Sequence, residues 1–269
     1  YDLTRLIIGA EGTLGIITEM TLKLHGIPEA MSAGVCRFPS IQACCDAAIT
    51  AIQAGIPMAR VELLDEMQVR VCNVYSKLAM PEQPMLFLEF HGTDAGVAEQ
   101  SERFAEIARE FGGGAFEWSK EAEARTRLWQ TRHDVFWALR SFRAGAKVVV
   151  TDVCVPISRL AECVTETKRD IERSGIIAPI VGHVGDGNFH ASVLVMMDDA
   201  REVADAKAFV ERVAERALSM EGTCTGEHGI GQGKKHFMEP EHGFIAVEAM
   251  RSIKRALDPS NIMNPGKIV

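Results

Sequence analysis

No apolar run in this sequence approaches the roughly 18 to 20 residues needed to span a bilayer. Its seven cysteines (Cys36, Cys44, Cys45, Cys72, Cys154, Cys163 and Cys224) are odd in number and contain no CxxC pair. That excludes a disulfide scaffold and a cysteine-only zinc site, and points to reduced thiols serving mostly as small core residues. Neither GxGxxG nor a P-loop occurs, which disfavours a nicotinamide cofactor and ATP. Basic residues are in deficit, 29 against 37 acidic, so the net charge of −8 gives no sequence-wide attraction to nucleic acid or anionic lipid. Trp118, Trp129 and Trp137 have no basic–aromatic interleaving around them and read as core. There is no N-terminal Met and no signal peptide, and the opening Tyr1-Asp2-Leu3 reads as a cut from within a longer protein.

What is present is an ordinary globular balance, 47% hydrophobic and 25% charged, in a length that fits one large domain or two smaller ones. Gly9 to Gly15 reads as a glycine-rich turn feeding a strand over 16–24, and His25-Gly26-Ile27-Pro28 as a boundary. Strand and helix patterns then alternate. Strands are expected at 33–38, 58–64, 85–90, 115–118 and 147–155. Helices are expected at 40–54 (capped by Ser40), from 65 to about 76, at 96–111, a long one at 121–142, then 160–174, 200–220 and 244–257. This order predicts an α+β fold, one sheet with helices packed on it.

Two clusters concentrate the chemistry. In Gly182-His183-Val184-Gly185-Asp186-Gly187-Asn188-Phe189-His190, the Asp-Gly pair signals a hairpin turn. A turn centred there pairs residue 184 with 189 and 183 with 190, bringing two imidazoles together on one sheet face. Such a pair suits zinc, iron, nickel or manganese, with a carboxylate completing an open site. In the second cluster, Gly222 to Lys235, five glycines in twelve residues indicate backbone passing close to something bulky. Extended backbone there would send Glu227 toward a metal and His228 the other way, toward a substrate. Arg132 and Lys147 are candidates for a substrate carboxylate. Asn264, in the turn Asn261 to Lys267, is a candidate ligand donor.

Gly9 to Ile16, Gly182 to His190, Gly222 to Gly233 and Met263-Asn264-Pro265-Gly266-Lys267 together resemble the FAD-linked 2-hydroxy-acid dehydrogenases of the vanillyl-alcohol-oxidase type. Within them the similarity is greatest to D-lactate dehydrogenases that use cytochrome c or another non-nicotinamide acceptor. Supporting stretches are 60–66, 86–92 and 151–160. The resemblance implies a cap domain of antiparallel sheet covered by helices (26–220), flanked by the end of an FAD-binding domain (1–25) and a segment returning to the flavin (221–269). It implies FAD and a divalent metal (zinc, manganese or iron) held by His183, His190 and Glu227. It further implies His228 as the base and Arg132 and Lys147 on the substrate carboxylate. Glu11, Gly12, Gly15, Ile16 and Asn264 fall where the family approaches FAD. Phe136 and Ser192 stand where relatives acting on 2-hydroxyglutarate have polar groups, so a pocket with Phe136 is expected to prefer a small or apolar 2-hydroxy acid such as D-lactate, with D-2-hydroxyglutarate or glycolate as alternatives. Cytochrome c, a quinone or an electron-transfer flavoprotein is the implied acceptor, and a homodimer is compatible. The location implied is the bacterial cytoplasm, with or without peripheral membrane attachment, or the mitochondrion of a eukaryote. Two readings of another class stay open: a metal-dependent hydrolase using the same His-His-Glu set, and a non-catalytic binding domain.

Overall fold

A computed structural model describes all residues, 1–269. They form two compact units: residues 27–222, and residues 1–26 together with 223–269. No helix is long and apolar enough to cross a membrane.

The larger unit is built on one antiparallel sheet. Its strands are β1 (Ala30–Arg37), β2 (Met58–Leu64), β3 (Met85–Gly92), β4 (Glu117–Ser119), β5 (Lys147–Val150), β6 (Val153–Cys154), β7 (Ile180–His183) and β8 (Asn188–Val195). They lie in the order β4-β1-β3-β2-β7-β8-β5, with β6 also paired to β8. The helices of this unit are α2 (Ile41–Gln53), α3 (Glu66–Ser76), α4 (Asp94–Glu110), α5 (Ala122–His133), α6 (Val135–Phe142), α7 (Leu160–Ser174) and α8 (Ala200–Ser219). Several starts are chemically capped. Ser40 accepts from the Ala43 amide at 3.1 Å and Asp65 from the Gln68 amide at 2.7 Å, each satisfying a donor the helix itself leaves open.

Alternation along the strands divides the core in two. One face carries Leu63, Leu86, Leu88, Phe90, Ile180 and Phe189 and is covered by α2, α4, α7 and α8. On α7 the buried residues Leu160, Cys163, Val164, Thr167 and Ile171 recur at helical spacing, which fixes the side it turns inward. The other face carries Leu64, Phe87, Val181 and Leu194 beneath α3, α5 and α6. Six of the seven thiols are buried and all are free. Burial pushes the Cys36 thiol to about 11 and that of Cys163 to about 12, so these are packing groups and not nucleophiles.

Several expectations need correction. The run 16–24 pairs with no strand of the structure, and Ile16, Leu22 and Leu24 are exposed. Its β-branched composition favours extension, but a strand exists only through a hydrogen-bonding neighbour. Leu3–Ile7 forms the short helix α1, which its sequence did not announce. The long helix breaks at Asp134, which separates α5 from α6, with the Gln130 amide donating to its carboxylate at 2.8 Å. The strand 147–155 breaks at Thr151-Asp152, where the Thr151 hydroxyl accepts from the Ala191 amide at 2.8 Å while the Thr151 amide donates to the Ala191 carbonyl oxygen at 3.0 Å.

Outside the sheet, Asp170 of α7 holds Arg212 (2.9 Å) and Arg216 (2.9 Å) of α8. Burial acts to raise its carboxyl, but the hydrogen bonds from the two arginines overcome that and hold it below the usual carboxylate range. A depressed folded-state value means this stability is complete above the ordinary carboxylate range and is lost as pH falls through the lowered value. Asp170→Asn should therefore cost about 3 kcal/mol at neutral pH, because it leaves two arginines facing each other, and should flatten the acid limb of the melting curve. Thermal unfolding between pH 2 and 7 checks this; an unchanged acid limb would contradict it.

Candidate metal and substrate site

A strip of polar residues of the larger unit lies on the sheet face beneath α5. Arg60 pairs in register with Glu89, Glu62 with His183, and Val181 with His190, so Arg60, Glu62, Glu89, His183 and His190 share that face. A cavity of about 650 Å³ opens there. Arg132, His183, Glu62, Arg60, Trp129 and Asp186 give it polar walls, and Ile52, Ile56, Pro57, Met58 and Val61 give it apolar ones.

The hairpin that carries the histidines is two residues wider than the Asp-Gly signal suggests. Val181, not His183, stands opposite His190, because residues 184–187 all serve as the turn. The shift is even, so both imidazoles keep the same face. Their ring centroids lie 5.9 Å apart and nearly perpendicular, at 85°. Gly187 is obligatory in this turn: its φ is +80°, and a Cβ there would overlap the Val155 carbonyl oxygen.

Each imidazole is oriented through Nδ1. His183 Nδ1 lies 2.6 Å from Glu62 Oε1, and His190 Nδ1 lies 3.0 Å from the Thr151 carbonyl oxygen. A carbonyl or a carboxylate only accepts, so Nδ1 carries the proton in both rings and the lone pair of the neutral ring sits on Nε2. This is the outer arrangement that metal-binding histidines use. Asp152, itself buried, lies 3.8 Å from His190 Nδ1 and accepts from Asn188 at 3.0 Å. Two nitrogen donors with carboxylate chemistry beside them fit a borderline divalent cation. Arg132 projects from α5 and donates through Nε to Glu62 Oε2 at 2.9 Å.

Two candidates stand elsewhere. Lys147 is exposed at the start of β5, opposite Val195, and does not line the cavity. Phe136 is 48% exposed on α6, packed edge-on against Trp137 at 5.6 Å, and is also outside the cavity wall. Ser192 is buried on β8.

The smaller unit contains α1, α9 (Met238–His242) and α10 (Phe244–Leu257) with long connecting loops. Glu11, at φ +51°, ties the loops together. Its carboxylate accepts from the amides of Ile230 (2.6 Å) and Gly231 (2.9 Å), and its own carbonyl accepts from Asn264 Nδ2 at 2.6 Å. Glu11 and Asn264 therefore set loop shape. At Gly12 and Gly15 no protein atom lies within 4 Å of where a Cβ would stand. Ile16 is exposed. Glu227 and His228 are both about half exposed, and His228 Nε2 comes within 3.5 Å of Glu227 Oε1. The two side chains are thus drawn together, where extended backbone would have sent them apart, because the segment is a succession of bends and not a strand.

Sequence reading passed over Glu62, Asp152 and Thr151 as site residues. The signal for Glu62 was the alternation in β2, where charged Arg60 and Glu62 interleave with apolar Val61 and Leu63. Asp152 and Thr151 carry no signal of their own, because their roles come from the break in the strand.

The profile of FAD linked oxidases, C-terminal domain, matches residues 27–268. The chain is 49% identical over its whole length to "Probable D-lactate dehydrogenase, mitochondrial" of Danio rerio, covering 54% of that protein. It is 43% identical to "D-lactate dehydrogenase [cytochrome], mitochondrial" of Arabidopsis thaliana, again over all of this chain and 47% of that one. The chain thus spans about half the length of the curated relatives it matches. Among solved structures, 4-ethylphenol oxidase from Gulosibacter chungangensis superposes with a TM-score of 0.70 at 15% identity, over 92% of this chain and 55% of that one. An alkyldihydroxyacetonephosphate synthase gives 0.65 at 17% identity, over 98% and 50%. These two likenesses are of fold.

Gly229 gives a direct test of the loop scaffold. Its φ is +84°, and a Cβ there would stand 2.6 Å from Glu11 Oε1. Gly229→Ala should cost about 1–2 kcal/mol from the left-handed backbone alone. It should also speed hydrogen exchange at the Ile230 and Gly231 amides; unchanged exchange at those two would contradict the assignment.

Proposed function

The chain belongs to the FAD-linked oxidase family through its C-terminal domain, and on that premise we propose that the whole protein oxidises a D-2-hydroxy acid, D-lactate to pyruvate, with FAD as hydride acceptor and a cytochrome as the onward acceptor. The observation that carries the reading is the pair His183 and His190, both oriented through Nδ1 on one sheet face, with His183 and Arg132 lining the same cavity. The names of the relatives from Danio rerio and Arabidopsis thaliana support D-lactate as substrate, and the second supports a cytochrome acceptor. Both are named mitochondrial, which supports that location if the source is eukaryotic.

Bound FAD supplies a two-electron acceptor, and a divalent cation supplies a Lewis acid that lowers the pKa of the substrate hydroxyl. His183 and His190 would hold the cation through Nε2, with Glu227 as the carboxylate ligand. The guanidinium of Arg132 binds the substrate carboxylate through its terminal nitrogens, its Nε being engaged by Glu62. Lys147, exposed on β5 outside the cavity, is given no part in holding that carboxylate. His228 takes the hydroxyl proton at an imidazole nitrogen while the C2 hydrogen leaves with its electron pair, giving the 2-oxo acid. Gly12 and Gly15 would let the flavin approach the backbone, with Glu11 and Asn264 holding that loop and Ile16 flanking it. The residues 1–26 and 223–269 are read as belonging to the flavin-binding part, and 27–222 as the substrate cap. The apolar selectivity expected of Phe136 passes in this reading to Ile52, Ile56, Met58 and Val61, which line the cavity.

Anaerobic bleaching of the flavin in the full-length protein tests the reading. D-lactate should bleach it, whereas L-lactate and D-2-hydroxyglutarate should not. His228→Ala should slow flavin reduction by about 10²–10⁴-fold, the usual worth of a positioned base. Failure of every 2-hydroxy acid, glycolate included, to bleach the flavin would contradict the redox reading. Wild-type reduction rates in the His228 variant would contradict the assignment of the base.

A further inference from the structure

Glu62 belongs to none of the sets named above as ligand, base or cofactor contact, yet the histidine and the arginine of the larger unit's site both depend on it. Its side chain is 10% exposed, and its two oxygens serve different partners: Oε1 the Nδ1 of His183 at 2.6 Å, Oε2 the Nε of Arg132 at 2.9 Å. The backbone makes this sharing rigid. Glu62 stands directly across the β2–β7 ladder from His183, so their separation is set by strand pairing. Arg132 descends from α5, which Trp129 pins to the same face by donating from its indole to Glu89 at 2.6 Å.

We propose that Glu62 is a positioning residue that couples the metal ligand to the substrate anchor, so that affinity for the cation and affinity for the substrate carboxylate rise and fall together. The inference rests on the metal reading given under Proposed function. The coupling has two physical sources. First, an acceptor on Nδ1 holds the proton there and keeps the lone pair on Nε2; without it, the ring is free to turn and to exchange tautomers. Second, a guanidinium and a divalent cation in one cavity repel each other. One shared carboxylate between arginine and ligand histidine offsets that repulsion while leaving both terminal nitrogens of the guanidinium for a ligand.

An amide cannot do both jobs. In Glu62→Gln, the side-chain oxygen still accepts from one partner, but the NH₂ group faces the other, so either Arg132 loses its acceptor or His183 accepts at Nδ1 and carries its proton on Nε2, where it no longer offers a lone pair. Shortening in Glu62→Asp keeps the charge but withdraws both oxygens by one methylene. The expected result for Glu62→Gln in the full-length flavoprotein is a loss of Mn²⁺ affinity of about 10- to 100-fold, the usual worth of an outer-shell partner. A rise of similar size in the KM for D-lactate should accompany it, with kcat at saturating metal and substrate changed far less. Glu62→Asp should recover part of both together.

Three readouts decide the matter: Mn²⁺ titration followed by electron paramagnetic resonance, steady-state kinetics at saturating Mn²⁺, and the ¹⁵N shifts of the His183 ring. A merely structural role would lower the melting temperature and kcat but would leave the KM at saturating metal and the Nδ1–H signature of His183 in place; that pattern overturns the proposal. So does unchanged Mn²⁺ affinity in Glu62→Gln when the wild type takes up the ion, which leaves the metal reading standing. No Mn²⁺ uptake by the wild type overturns the metal reading and the coupling with it.

Discussion

The carboxylate of Glu62 is the constraint on which the site turns. It is largely buried, it is shared between an imidazole and a guanidinium, and both partners are fixed by secondary structure that packs for other reasons. A buried carboxylate with no partner is costly, and one whose two oxygens are both satisfied is tolerated and stiff. The same economy appears one strand over, where Glu89 accepts from Trp129 and from His91 (2.9 Å) while Arg60 lies over the indole ring at 5.0 Å. A row of charges thus crosses the sheet under α5, and the cavity opens along it.

The two faces of the sheet explain how such a row survives. The face under α2, α4, α7 and α8 takes most of the large apolar side chains, with the Ser32–Ser101 hydrogen bond buried among them. The opposite face has a smaller apolar cluster, which leaves the strip of Arg60, Glu62, Glu89, His183 and His190 to be satisfied by partners in α5 and in the strands themselves. Breaks in regular structure then supply what ladders cannot. The interruption at Thr151-Asp152 frees a carbonyl for His190 and places a buried carboxylate beside it. In the smaller unit, Glu11 in left-handed backbone does the corresponding job for three loops at once.

Much of this architecture was legible in the sequence. The spans of β2, α7 and α10 coincide with their apolar periodicity, and Ser40 announces α2 through its cap. The histidine pair was legible as a motif, though its register was not, because Asp-Gly marks a turn without fixing how many residues the turn uses. What escaped were features that arise only in three dimensions. Glu62 is one acidic residue among 37 until strand pairing sets it opposite His183. The break at Asp134 lies inside a continuous helical pattern. The run 16–24 has strand composition but no neighbour in this chain with which to pair. Phe136 was assigned to a pocket through the family resemblance, whereas the break in the helix after Arg132 leaves it half exposed outside the cavity wall.

The central claim is that His183 and His190, oriented through Nδ1, offer Nε2 to one divalent cation. X-ray absorption at the zinc edge of Zn²⁺-loaded full-length protein tests this most directly. The account predicts the multiple-scattering signature of two imidazoles, with nitrogen at about 2.0–2.1 Å, oxygen completing the shell and no sulfur. It also predicts the loss of one imidazole in His183→Ala. A shell containing sulfur, or one in which His183→Ala leaves the imidazole count unchanged, would contradict it.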